Sequence, residues 1–176
     1  MPSAAQQKVC QLLQQEQIPY EITQHAAVTT IAEMEALQVE EKGQICKNLF
    51  LAEAKGPHFY LCMLAKEKKA DLKAIRAQIG SSRLHFASPQ QLLEKLQLTQ
   101  GAVGPFGLFN DDAHDTVFLI DSSLKGQILG MHPNDNTATV WLSYEHLLVL
   151  LQKLGHPIYE VTVWYFSCQA GTVKET

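Results

Sequence analysis

The chain has few of the features by which enzymes and membrane proteins announce themselves. Its four cysteines, Cys10, Cys46, Cys62 and Cys168, form no C-x-x-C pair, which excludes the common zinc and redox motifs and offers no disulfide framework. They read as reduced thiols of a core. No window approaches the ~20 consecutive apolar residues that cross a bilayer, and the opening stretch MPSAAQQKVCQ turns polar too soon for a secretory signal. A cytosolic protein without membrane association is expected. There is no G-x-S-x-G elbow, and Ser81, Ser82, Ser122 and Ser123 stand in turn contexts, so a serine nucleophile has no setting. No histidine or carboxylate falls at a familiar ligand spacing from His132, and neither a metal nor another cofactor is expected. Positive charge is also short, since 14 lysines and arginines against 18 acidic residues leave a net charge of −4. That balance disfavours a protein that coats nucleic acid, whose affinity comes largely from neutralising phosphates, yet it permits recognition of a single RNA end.

What is present suffices for one globular domain: 176 residues, 46% hydrophobic and 18% charged. Ser3 with Gln6 and Thr30 with Glu33 have the spacing of capping boxes and start two helices. ICKNLFLA, from Ile45, alternates with period two and is apolar on both faces, and with HFYLCMLA across the EAKGP turn it predicts a hairpin over 45–65. Asp71 to Ile79 is helical and ends at Gly80, RLHFA is a short strand, and Ser88-Pro89 opens another helix. TVFLID, QILGMH and TATVWLS follow closely enough to predict a three-stranded meander, then a helix from Ser143 and a final strand, IYEVTVWYF. Interleaved helices and strands with tight turns favour an antiparallel or mixed sheet over a doubly wound parallel one.

Four places could carry chemistry. Lys47 shares a strand row with Ile45, Leu49 and Leu51; either its stem reaches the rim or its ammonium enters a polar pocket and meets an anion. His132 and Asn136, in MHPNDNTAT, stand at the junction of two strands around a proline turn, where a histidine serves as a capping or turn residue more readily than as a metal ligand. TQGAVGPFGLFNDD, residues 99–112, places three glycines and a proline within seven positions; it is either an ordinary turn or a loop whose backbone amides approach a ligand. The cations of KEKKADLKAIR, namely Lys66, Lys68, Lys69, Lys73 and Arg76, give a solvated helix surface or a basic face for RNA.

HAAVTTIAEM, KNLFL, a G-x-x-x-P loop continuing as FGLFND, HPNDNTAT and LLQKLGHP occur in an order that resembles the free-standing prolyl-tRNA editing proteins of the YbaK/ProX superfamily, related to the editing insertion of bacterial prolyl-tRNA synthetase. The resemblance runs from Val9 to Val163, nearly the whole chain. It implies a single α/β (α+β) domain over 1–163, with a mixed, barrel-like sheet and flanking helices; residues 164–176 form an extension beyond it. It also implies hydrolysis of the ester that joins a wrong amino acid to the acceptor end of tRNA(Pro), with prolyl-tRNA synthetase as a further partner.

By position, the resemblance assigns Lys47, Gly101 and His132 to catalysis. It assigns Asn48, Asn136 and the loop residues Ala102, Val103, Gly104 and Pro105 to substrate binding, with His25, Val28, Thr29 and Thr30 as another pocket wall. Glycine at 104, where threonine is common in relatives, would enlarge the pocket. The wording of the loop and of the HPNDNTAT stretch is closer to the alanyl-tRNA(Pro) type; a cysteinyl-tRNA(Pro) deacylase and a non-catalytic aminoacyl-tRNA or synthetase-binding module are the alternatives.

Overall fold

A side-chain cap sets the N-terminus of each α-helix, and the caps stand where the sequence placed them. In the computed structural model, which describes residues 1–37 and 42–164, Ser3 Oγ accepts from the Gln6 amide at the start of α1 (Ala4–Gln15). Thr30 and Glu33 form a complete capping box ahead of α2 (Ile31–Ala36). Asp71 caps α3 (Leu72–Ile79), which Gly80 closes at φ 68. Ser88 and Gln91 box the start of α4 (Pro89–Leu96), and Ser143 caps α5 (Tyr144–Lys153). Each cap satisfies an amide the helix cannot, a contribution of about 1 kcal/mol. The Ser3 box is only half formed, because the Gln6 side chain turns inward and bonds Asp135 and Thr137 at 3.1 and 2.7 Å.

The strands are β1 (Glu21–Gln24), β2 (Gln44–Glu53), β3 (Phe59–Ala65), β4 (Leu84–Phe86), β5 (Val117–Asp121), β6 (Ile128–Met131), β7 (Ala138–Ser143) and β8 (Ile158–Val161). They form one mixed sheet of order β1-β7-β6-β2-β3-β5-β8, with β4 beside β2. The expected hairpin is β2–β3, with Lys47 opposite Leu64. The expected meander does not form: only β6 and β7 pair as its neighbours, while β5 inserts in parallel between β3 and β8. Alternation identifies a strand but not its partner, and the apolar faces of β5 are buried more completely inside the sheet than at its end. Residues 165–176, with Cys168 and the end of the expected last strand, lie outside the described residues.

β2 is the common member of the two halves of this sheet. Its edge away from β3 pairs in parallel with β6 at Gln44 and Ile45, and antiparallel with β4 from Leu51 to Glu53. Between those contacts, 46–50 face no strand on that edge. Side chains alternate accordingly: Cys46 and Phe50 join the main core of α1, α4 and α5, whereas Leu49 and Leu51 pack with Ile75 of α3 on the other face. Ile45, in the Leu49 row, joins a small cluster with Val28, Met34 and Trp141. Lys47 therefore projects between two apolar clusters. The 3-10 helix Pro105–Asn110, which follows the glycine loop, is braced from behind. Asn110 Nδ2 donates to the Leu96 carbonyl at 2.9 Å, and the buried His156 ring lies 3.0 Å from both the Leu108 and Thr116 carbonyls.

The expected basic face is narrower than KEKKADLKAIR suggested, since α3 begins only at Leu72. Lys68 is not on it. Its side chain is buried, with Nζ 2.7 Å from Asp121 Oδ2 and 2.8 Å from both Ser123 Oγ and the Val163 carbonyl. A buried charge is held only by such partners, so Lys68→Met, which strands the Asp121 carboxylate, should cost about 3–5 kcal/mol in urea denaturation. Lys73→Met, at an exposed position of α3, should stay within about 0.5 kcal/mol. Equal stabilities for the two variants would contradict the ion pair.

Candidate active site

The break in pairing along β2 opens onto a cavity of ≈ 210 Å³. Seven of the expected residues line it: Lys47 and Asn48 from β2, Thr29 and Thr30 before α2, Gly101 and Val103 from the glycine loop, and His132 after β6. Segments far apart in sequence thus meet at one place. Gly101 has φ 87, a backbone conformation that favours glycine. A Cβ there would stand 3.3 Å from Thr29 Cγ2, so the loop and the α2 entry touch across the cavity. The Ala102 amide closes a turn on the Thr99 carbonyl at 3.2 Å. Among the described residues no acceptor takes the amides of Gly101 and Val103.

The remaining expected residues stand behind this wall. Val28 is a core residue whose amide donates to the Asn136 carbonyl at 3.1 Å, which ties the α2 entry to the HPNDNTAT turn. Ala102 and Pro105 are buried. Gly104 is extended, and a Cβ at this position would meet the His132 carbonyl at 3.1 Å; its role is close packing of loop against turn, outside the cavity wall. His25 borders a neighbouring opening. Its Nδ1 donates to the Ala26 carbonyl at 2.8 Å and its Nε2 lies 2.9 Å from Thr139 Oγ1. Lys66, paired with Glu35 at 3.3 Å, and the exposed Lys69, Lys73 and Arg76 lie outside the cavity.

Sequence reasoning missed Ile31, Met34, Ile45 and Met131, which make the cavity largely apolar, and Cys46, Gly130 and Thr139. Gly130 carried a legible signal, a glycine inside a strand: a Cβ there would fall 2.5 Å from the Trp141 ring. Asn134, at φ 60, donates through Nδ2 to the Phe106 carbonyl at 3.2 Å and fastens the turn to the 3-10 helix.

Three groups give the cavity its chemistry. Burial pulls the Lys47 ammonium below the usual lysine range, with Glu67 opposing the shift, and Lys47 makes no hydrogen bond or ion pair among the described residues. Asn48 Oδ1 is buried at the cavity wall without a hydrogen-bond donor. His132 donates from Nδ1 to the Ala138 carbonyl at 2.9 Å, which leaves Nε2 as an acceptor in the neutral ring. Burial first, and the nearby His25 second, lower the His132 pKa, against the Ala138 carbonyl and Asp135. No cluster of three or more metal-ligating side chains occurs among the described residues.

Because its folded pKa is depressed, His132 is neutral in the folded chain at pH values where the unfolded chain already takes up a proton. Stability therefore falls as pH drops through the ordinary histidine value towards the lowered one, and the loss stops once both states are protonated. His132→Asn, which can keep the donor to Ala138, should flatten part of the stability loss between pH 7 and pH 5 in urea titrations. An unchanged pH dependence would show that His132 is not the titrating group.

Comparison with known proteins identifies the family. A family model described as an aminoacyl-tRNA editing domain matches residues 25–150. The prolyl-tRNA editing protein ProX of Acetoanaerobium sticklandii is 43% identical over 157 residues, 89% of this chain and 96% of that protein. Prolyl-tRNA synthetase associated domain-containing protein 1 of Mus musculus is 36% identical over 141 residues, 77% of this chain and 83% of that protein. A crystal structure described as that of a candidate trans-editing enzyme for prolyl tRNA synthetase shares the fold, with a TM-score of 0.71 at 21% identity over 93% of this chain and 100% of that one. The matched span contains every wall of the cavity, from Thr29 to Thr139, and the chain belongs to the aminoacyl-tRNA editing domain family.

Proposed function

We propose that the chain is a trans-editing deacylase of mischarged tRNA(Pro), and that the amino acid it removes is alanine. The observation that carries this reading is the pairing of an unpartnered Lys47 ammonium with unbonded glycine-loop amides around one small, largely apolar cavity. An ester needs little more. Water adds to the carbonyl carbon, the carbonyl oxygen becomes an oxyanion, and the C–O bond to the terminal ribose then breaks, the ribose oxygen taking the proton that water loses. Amides fixed by Gly101 and Val103 are dipoles aimed at the developing charge, each worth about 3 kcal/mol in a site shielded from water. Lys47 adds positive charge at the same place.

The Nε2 of His132 and the open acceptor at Asn48 suit the α-ammonium and ribose hydroxyl of an aminoacyl end. The apolar lining of Ile31, Met34 and Met131 suits a small side chain such as a methyl. Purified protein mixed with alanyl-, cysteinyl- and prolyl-tRNA(Pro) should release alanine fastest. Faster release of cysteine would move the specificity to the sister activity, and release of none would leave a binding module.

Lys47→Met should melt no lower than the parent, since no buried charge is left behind, while deacylating roughly 10²-fold more slowly. Lys47→Arg should also be impaired, because the planar guanidinium cannot take the ammonium's place. A Lys47→Met variant at the parental rate would remove Lys47 from the reaction. Gly101→Val loses the positive φ and crowds Thr29; it should fold yet deacylate at least about 10²-fold more slowly. Full activity in folded Gly101→Val would count against backbone catalysis.

A further inference from the structure

Away from the cavity, a second depression of ≈ 250 Å³ lies between α3 and β4. Leu72 and the buried Leu84 form its floor, and Lys73, Arg76 and Arg83 form its rim. All three cations are exposed, and none makes an ion pair among the described residues. In a chain of net charge −4, three unneutralised cations around one apolar-floored notch are a local exception. The guanidinium forks of Arg76 and Arg83 match phosphate oxygens, the Lys73 ammonium adds a third positive charge, and an apolar floor accepts the less polar ribose.

The topology fixes where this notch lies relative to Lys47. Lys47, Leu49 and Leu51 share one face of β2, and α3 packs on that face through Ile75. Leu84 is paired with Glu53, six residues along β2 from Lys47, or ~20 Å at the rise of a strand. On this side of the sheet the notch therefore lies from Lys47 at a distance of about six phosphates at the spacing of a double-helical strand.

We infer that the α3–β4 notch, with Lys73, Arg76 and Arg83, holds the phosphate backbone of the acceptor stem while the aminoacylated end occupies the cavity. The inference rests on the editing function proposed above. The opposite face of the sheet carries α1, whose Val9 and Leu13 join the main core and whose Lys8 is exposed; it has no part in this contact.

The test measures binding of fluorescently labelled, uncharged tRNA(Pro) at stepped KCl, so that it reads the contact whether or not any ester is hydrolysed. Arg76→Gln/Arg83→Gln should bind about 10-fold more weakly at low salt. The slope of log affinity against log salt should fall by roughly two, one for each phosphate contact removed. Lys8→Glu, with the same change in net charge, should match the parent. Circular dichroism checks that all three proteins fold. Parental affinity and slope in the double variant would overturn the inference, and so would equal weakening by Lys8→Glu, which would reduce the effect to net charge. Inorganic phosphate or adenosine monophosphate that occupies the notch, reads out by Arg76 and Arg83 chemical-shift changes, and leaves tRNA affinity untouched would assign it to a small anion and overturn it as well.

Discussion

The structure depends on a strand that must satisfy two halves of one sheet at once. β2 is paired with β3 from Cys46 to Ala52 on one side, but on the other it is shared between β6 at one end and β4 at the other. Buried backbone groups need partners, and the stretch between the two contacts is where the protein cannot supply them from another strand. The cavity sits at that break, and Lys47 and Asn48 sit at its edge. A sheet with one continuous ladder here would have no room for a ligand. The site is a consequence of how the sheet divides.

Around that break the walls are rigid for reasons unrelated to chemistry. The α2 entry is held by a complete capping box, and Glu33 also accepts from the Thr29 amide at 2.6 Å. The HPNDNTAT turn is fastened to α1 through Gln6 and to the 3-10 helix through Asn134. Asp135, within this turn, is held down to about 2: burial alone would raise it, but hydrogen bonds from Thr137, Ser3 and Gln6 outweigh that cost. Such a network orders the groups facing the cavity before a ligand arrives, which reduces the entropy lost on binding.

Much of this was legible in the sequence because it is local. Caps, the β2–β3 hairpin, the end of α3 at Gly80 and the odd placement of Lys47 all follow from residues a few positions apart. The rest depends on partners that periodicity does not name. Nothing near Lys68 distinguishes it from Lys69; its burial is decided by Asp121, which arrives on β5. The position of β5 between β3 and β8 is likewise a contest among distant strands. The loop and the HPNDNTAT turn were recognised as motifs, but only the fold separates Gly101 and Val103, which face the cavity, from Ala102, Gly104 and Pro105, which brace it. The apolar lining from Ile31, Met34 and Met131 is, at the level of sequence, no different from ordinary core.

The parallel pairing of β2 with β6 has a consequence in time. It joins Gln44 to Leu129 and Ile45 to Gly130, and so must close a long loop of chain, the kind of contact that slows folding. As the chain leaves the ribosome, Lys47 and its hairpin emerge early, while His132 and Thr139 follow only after most of the domain has been made. Until β6 docks, the edge of β2 that later borders the cavity is an unpaired strand edge, open to other chains. The same gap that admits a ligand in the finished protein is, during synthesis, the place where a nascent chain is most exposed to mispairing.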